Sequence, residues 1–173
     1  MTLSVNERAR SIGTFRFIEV RLMEIAAGWT PTTPEMEVKV ILGRHIWSFA
    51  QHADWLGKRT FELRQPEHYT LEPAEGYLDV LNAARGIEST SGRLTAMYEV
   101  LVPGLEARYR DYVERTDRLI DEPSVLIIER ILADLQRQRT EAVQLRRYLT
   151  LPHWDASALL EQERAHASVV VAR

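Results

Sequence analysis

The stretch from Pro34 to Arg64, PEMEVKVILGRHIWSFAQHADWLGKRTFELR, constrains this chain more than any other. Proline is tolerated in the first turn of a helix, where its missing N–H has no partner to lose. No further proline interrupts the run. Val38, Leu42, His45, Phe49, His52 and Leu56 recur at intervals of four and three residues. That spacing predicts one inward stripe of a long helix over about 34–64. Two of the stripe positions are histidine, which is unusual on an apolar face. They lie seven residues apart, roughly 10.5 Å along a helix, too far for both to ligate one ion.

The flanking segments read as helices of matching length. Ser4 and Glu7 make a capping box for a first helix over about 4–27. Ile12, Phe15, Ile18, Leu22, Ile25 and Ala26 form its apolar face, and Glu19 points with that face. Gly28 is expected to end it, and the short connection to Pro34 makes the first two helices antiparallel neighbours. After Arg64 periodicity stops until a shorter helix over about 73–85. A third long helix is predicted from about Ser91 to Arg118, with Leu94, Tyr98, Leu101, Leu105, Tyr109 and Tyr112 inward and a kink or break at Pro103-Gly104. Asp121-Glu-Pro123 suits the start of a fourth, whose stripe is Ile128, Ile131, Leu135, Gln138, Ala142, Leu145 and Leu149. Pro152 stops it. A short last helix runs from Asp155 to about His166, and the tail from Ser168 shows no partner in the pattern.

This layout predicts an all-α four-helix bundle in a single domain, 1–173. Its core lies at about 4–150, a long crossover joins the second and third helices, and 151–173 is a C-terminal extension. Composition narrows the rest. The 173 residues are 45% hydrophobic and 27% charged, with a formal net charge of −3 and no cysteine. There is no basic footprint for nucleic acid. Thiolate metal sites and cysteine nucleophiles are excluded. No window approaches ~18 uncharged apolar residues, so no membrane span and a cytoplasmic location are expected.

A weak internal repeat lays 41–52 on 127–138, setting Arg44 on Arg130, Phe49 on Leu135 and His52 on Gln138. Together with RFIEVRLMEIAAG, ILGRHIWSFAQHADWLGKRTFELR and DEPSVLIIERILADLQRQ, the helix order resembles the ferritin-like superfamily over about residues 10–150. That resemblance implies one Glu on the first helix, Glu-x-x-His on the second, one Glu on the third and Glu-x-x-His on the fourth, holding two metal ions. Here Glu19 stands at the first place. The second motif reads Phe49-x-x-His52, the nearest carboxylate on the third helix is Glu99 beside Tyr98, and the fourth motif reads Leu135-x-x-Gln138. Both bridging carboxylates are missing, so no di-iron centre and no resident cofactor are expected, although a single metal on Glu19, His52 and Glu99 is left open.

A carboxylate on an apolar stripe needs a partner. For Glu19 the resemblance favours His52, while simple antiparallel arithmetic sets Glu19 level with His45. Three functions are expected to compete. In the first, the bundle binds a small molecule or partner, with Tyr98, Glu99, Gln138 and Phe49 lining the site. In the second it is an enzyme with a reworked core, using Glu19, His52 and His45 as acid and base. In the third it is a structural subunit that forms a homodimer through the Trp47 and Trp55 side. A cavity lined by Glu19, His45, His52 and Tyr98 would favour the enzyme; a filled core would favour the others.

Overall fold

The computed structural model describes residues 3–171, and every regular element among them is helical. The elements are α1 (Val5–Trp29), α2 (Met36–Glu62), α3 (Glu75–Arg85), α4 (Thr90–Thr95), a π-helical segment (Ala96–Leu101), α5 (Val102–Arg115), α6 (Glu122–Arg146) and α7 (Ser157–Ala165). The first two are extensively packed against each other; α6 packs on α2, on α5 and on the π segment. Apolar side chains from all the helices share one core. No helix is long and apolar enough among the described residues to cross a membrane.

Local chemistry accounts for most boundaries. The Ser4 hydroxyl accepts from the Glu7 N–H at 3.3 Å, while the Glu7 carboxylate accepts from the Ser4 N–H at 2.7 Å. These two bonds satisfy donors that a helix start otherwise leaves open. At its other end α1 runs through Gly28 to Trp29 instead of stopping at the glycine. Trp29 is buried and its indole N–H donates to the Arg85 carbonyl at 3.2 Å, so tertiary packing extends the helix. Pro34 lies just before α2, whose N-cap is Glu35.

The third long helix is continuous over 90–115 and is not broken at Pro103. The turn before the proline widens instead. The Val102 N–H donates to Met97 O, five residues back. Proline lacks an N–H, and in a regular helix its ring would strike the carbonyl four residues earlier. A π turn relieves that clash without ending the helix. The tail also differs from expectation: Val169 is buried, and its carbonyl accepts from the Ala74 N–H at 3.0 Å. The Asp155 carboxylate accepts from the Ser157 N–H at 2.9 Å at the start of α7.

One buried carboxylate ties four helices together at the far end of α1. Asp121 Oδ1 accepts from Ser124 Oγ at 2.6 Å and from Arg59 Nη2 at 3.0 Å. Its Oδ2 accepts from Tyr112 at 2.6 Å and Thr116 at 2.8 Å, and Arg8 of α1 approaches to 3.9 Å. Burial alone would raise its pKa. The donors of Ser124, Tyr112, Thr116 and Arg59 outweigh burial and hold it below the ordinary carboxylate value. A depressed pKa contributes stability above the unfolded value, and that stability is lost as pH falls through the folded one. Asp121→Ala is expected to cost about 3–5 kcal/mol at pH 7, with the loss shrinking in acid below the ordinary aspartate pKa. Denaturant unfolding at both pH values checks it; a loss under about 1 kcal/mol at pH 7 contradicts it.

Candidate functional site

The two stripe histidines of α2 are both buried, and each bridges an inward group to a carboxylate on α6. His52 Nδ1 lies 3.2 Å from Glu19 Oε2, and its Nε2 lies 3.4 Å from Asp134 Oδ2. His45 Nδ1 lies 2.6 Å from the Tyr98 hydroxyl, and its Nε2 lies 3.0 Å from Glu141 Oε2. The pairing follows from register. Seven residues along α2 from His45 to His52 match seven residues back along α6 from Glu141 to Asp134, as antiparallel helices of equal pitch require.

The inward partner decides the charge of each ring. A carboxylate only accepts, so Glu141 fixes the His45 proton on Nε2, and Nδ1 is left to accept from the Tyr98 O–H. One neutral tautomer satisfies every bond. Burial pushes the His45 pKa down; the hydrogen bond and charge of Glu141 offset only part of this. His52 has an acceptor on both nitrogens, and only the imidazolium donates from both. Burial opposes that charge, but Glu19 and then Asp134 outweigh it and raise the pKa. Two histidines on one face of the same helix are therefore shifted in opposite directions.

Glu19 is itself fully engaged, since the Tyr109 hydroxyl donates to its Oε1 at 2.7 Å. Burial and this neighbouring carboxylate push the Tyr109 pKa well up, and burial does the same for Tyr98. Both phenols stay protonated as donors. The resulting chains run from the core to the flank of α6: Tyr109–Glu19–His52–Asp134 and Tyr98–His45–Glu141. Arg137 reaches Asp134 at 2.9 Å and Arg44 reaches Glu141 at 3.2 Å, so each chain ends on an ion pair near the surface.

The structure thus brings Glu19 to His52 and not to His45. Antiparallel arithmetic fails because it assumes that α1 and α2 end at one level. Glu19 lies ten residues before the end of α1 and His52 sixteen after the start of α2, a difference of about 9 Å. The connection 30–35 takes it up by carrying the chain past the end of α1 before α2 turns back.

The other sequence candidates scatter. Phe49 is buried beside His52, with ring centroids 6.3 Å apart. Gln138 is fully buried, and its carboxamide makes no hydrogen bond; an amide left so costs about 1–3 kcal/mol. Glu99 stays outside the core as an exposed residue paired with Arg146. Trp55 lies under the Arg130 guanidinium at 4.0 Å, whereas Trp47 is 67% exposed. Sequence reasoning missed Asp134, Glu141 and the buried Glu106, which accepts from Arg139 at 3.0 Å while its Oε1 has no partner. The matching seven-residue spacing on α6 was the signal for the first two.

The residues present do not fit a di-metal centre. Phe49 and Leu135, which stand where the resemblance would set bridging carboxylates, are buried hydrocarbon. Both ring nitrogens of His52 face carboxylates instead of a shared point. Among the described residues no group of three or more His, Cys, Asp or Glu is placed to hold a metal ion.

Open space lies outside the core. A groove of about 550 Å3 runs between α2 and α6, with an edge of His45 and with Glu141 in its wall. A second, of about 300 Å3, lies on the other flank of α6, with Glu99 and an edge of Tyr98 in its lining. The His45–Tyr98 bond joins their walls. Gly43 opens the first groove: nothing lies within 4 Å of where its Cβ would stand. A glycine in a helix interior costs about 0.5–1 kcal/mol relative to alanine. At Gly57 that cost has a cause inside the chain, because a Cβ there would meet His68 Nδ1 at 2.1 Å. At Gly43 no such cause exists. Comparison with protein-family models, curated proteins and solved structures finds no match to this chain, and the site is read from its own geometry.

Glu19→Gln removes the anion beside His52 and leaves His45 untouched. The His52 pKa is expected to fall while that of His45 holds. A raised histidine pKa contributes stability below the unfolded value of about 6.5, lost as pH rises through the folded pKa. The variant should therefore lose more stability at pH 5 than at pH 8. NMR titration of the histidine rings with denaturant melts reads both effects; an unchanged His52 pKa contradicts the pairing.

Proposed function

We propose that this chain is a ferritin-like four-helix bundle that works without a di-metal centre, binding a small molecule in the groove between α2 and α6. Two helix pairs support the bundle reading: α1 with α2, and the continuous helix over 90–115 with α6, joined by a crossover that holds α3. The observation that carries the functional reading is the contrast between interior and groove. Inside, Glu19 and His52 are saturated by their own neighbours and packed among Phe49 and Leu135. Outside, the His45 ring reaches a concave surface of small-molecule size that its own chain leaves open.

A second reading, an enzyme with a reworked core, draws on the charge state of His45. A neutral imidazole at the edge of a groove is the form that a general base needs near neutral pH. In that case a groove-bound substrate displaces Glu141, the ring adopts its other neutral tautomer with Nδ1–H donating to the Tyr98 oxygen, and Nε2 accepts the substrate proton.

Protein purified without chelators is expected to carry less than about one equivalent of tightly bound iron or manganese, given the missing bridging carboxylates. A library of small fragments is expected to include members that move the NMR signals of Gly43 and Trp47. Two metals per chain by elemental analysis, lost on Glu19→Ala, would overturn the metal-free reading. A library in which no fragment touches Gly43 or Trp47 would overturn the groove.

A further inference from the structure

The groove carries a ligand class as well as a location. On either side of Gly43, α2 leaves an apolar side chain open to the groove: Val40 is 55% and Trp47 67% exposed. Arg44 of α2 lies on the same wall, and α6 supplies Arg137 and the Glu141 carboxylate on the facing one. That carboxylate already accepts from His45 at 3.0 Å and from Arg44 at 3.2 Å. Arg137 spends one terminal nitrogen on Asp134 at 2.9 Å. A guanidinium carries five N–H donors, so both arginines keep donors for an acceptor from outside the chain.

Resting on the reading that this groove binds a small molecule, we infer that its ligand is a planar aromatic carboxylate. The ring lies against the Trp47 indole and Val40, in the space that Gly43 leaves free. The carboxylate takes the open N–H edges of Arg44 and Arg137, whose planar forks match its geometry. His45 spends Nε2 on Glu141 and Nδ1 on Tyr98, which leaves the anion to the two arginines. Inorganic phosphate would meet the arginines and leave the indole uncovered. A neutral aromatic would do the reverse. A second copy of this chain would cover the apolar side, but a convex helix fits a concave groove flanked by two guanidiniums less well than a flat ring does.

The test uses the full chain labelled with 15N, and reads the Gly43 amide and the Trp47 indole N–H. The probes are indole-3-carboxylate, indole-3-carboxamide and inorganic phosphate. The carboxylate is expected to move both signals saturably, and the carboxamide and phosphate to bind about tenfold more weakly or worse, the size of a lost charge-assisted hydrogen bond. Gly43→Leu, a change to a better helix former at an exposed site, should abolish the effect while raising the melting temperature. Arg137→Gln should weaken the carboxylate about tenfold and leave the carboxamide unchanged. Equal binding of carboxylate and carboxamide at Gly43 overturns the ligand class and keeps the groove. No response at Gly43 or Trp47 to any of the three probes, when other fragments do move them, also overturns the class alone; silence to every fragment overturns class and groove together. Broadening of both signals with protein concentration, without probe, puts a second copy in the groove and overturns the inference.

Discussion

A buried imidazole with a carboxylate on each ring nitrogen is the interaction on which the rest of this structure depends. His52 and Glu19 are fully buried, and Asp134 closes the set from the flank of α6. Charges taken out of water this far are tolerated only when each has its partner; removing one typically costs about 3–5 kcal/mol. The triad therefore fixes three helices against one another. A slip of one residue on α6 turns Asp134 by about 100° and strands the imidazolium. The same register delivers Glu141 to His45 one heptad away, so one constraint sets both chains.

What differs between the two chains is the group on the inner side. A carboxylate inside raises the His52 pKa; with a phenol inside, burial lowers that of His45. The phenol is placed by the π segment, which carries Tyr98 on its buried side and leaves Glu99 exposed. Pro103 forces that wide turn. The inner side of His45 therefore meets a phenol, and its one carboxylate partner, Glu141, comes from the flank of α6. The His45 ring, bonded at both nitrogens, presents only its edge to the α2–α6 groove.

The helices were legible in the sequence because each carries a stripe at helical spacing and recognisable ends. Ser4 and Glu7 cap the first, the run from Val38 to Leu56 marks the second, and Asp121 and Pro123 open the long helix after the third. Glu19, His45 and His52 stood out as polar residues on apolar stripes, and all three are buried in hydrogen-bonded chains. The partners on α6 were hidden for a physical reason. Asp134 and Glu141 are half-buried residues on the edge of their helix, with the charge pattern of an ordinary solvated face. Only the relative register of α2 and α6, a tertiary property, turns them onto the histidines. Glu99 entered through the family pattern alone; the helical spacing set Tyr98 inward and Glu99 beside it, as the structure has them. The choice between His45 and His52 for Glu19 rested on how far a six-residue connection overhangs the end of a helix, which sequence does not encode in any local signal.

The central claim is that the inner partners of the two stripe histidines shift them in opposite directions. Long-range 1H–15N correlation spectra of the histidine rings over a pH series test it most directly, because they count the protons on each nitrogen. The account predicts that, as pH falls, His52 carries a proton on both Nδ1 and Nε2 at a pH where His45 still carries one on Nε2 alone. A His45 that gains its second proton before His52, or together with it, would contradict it.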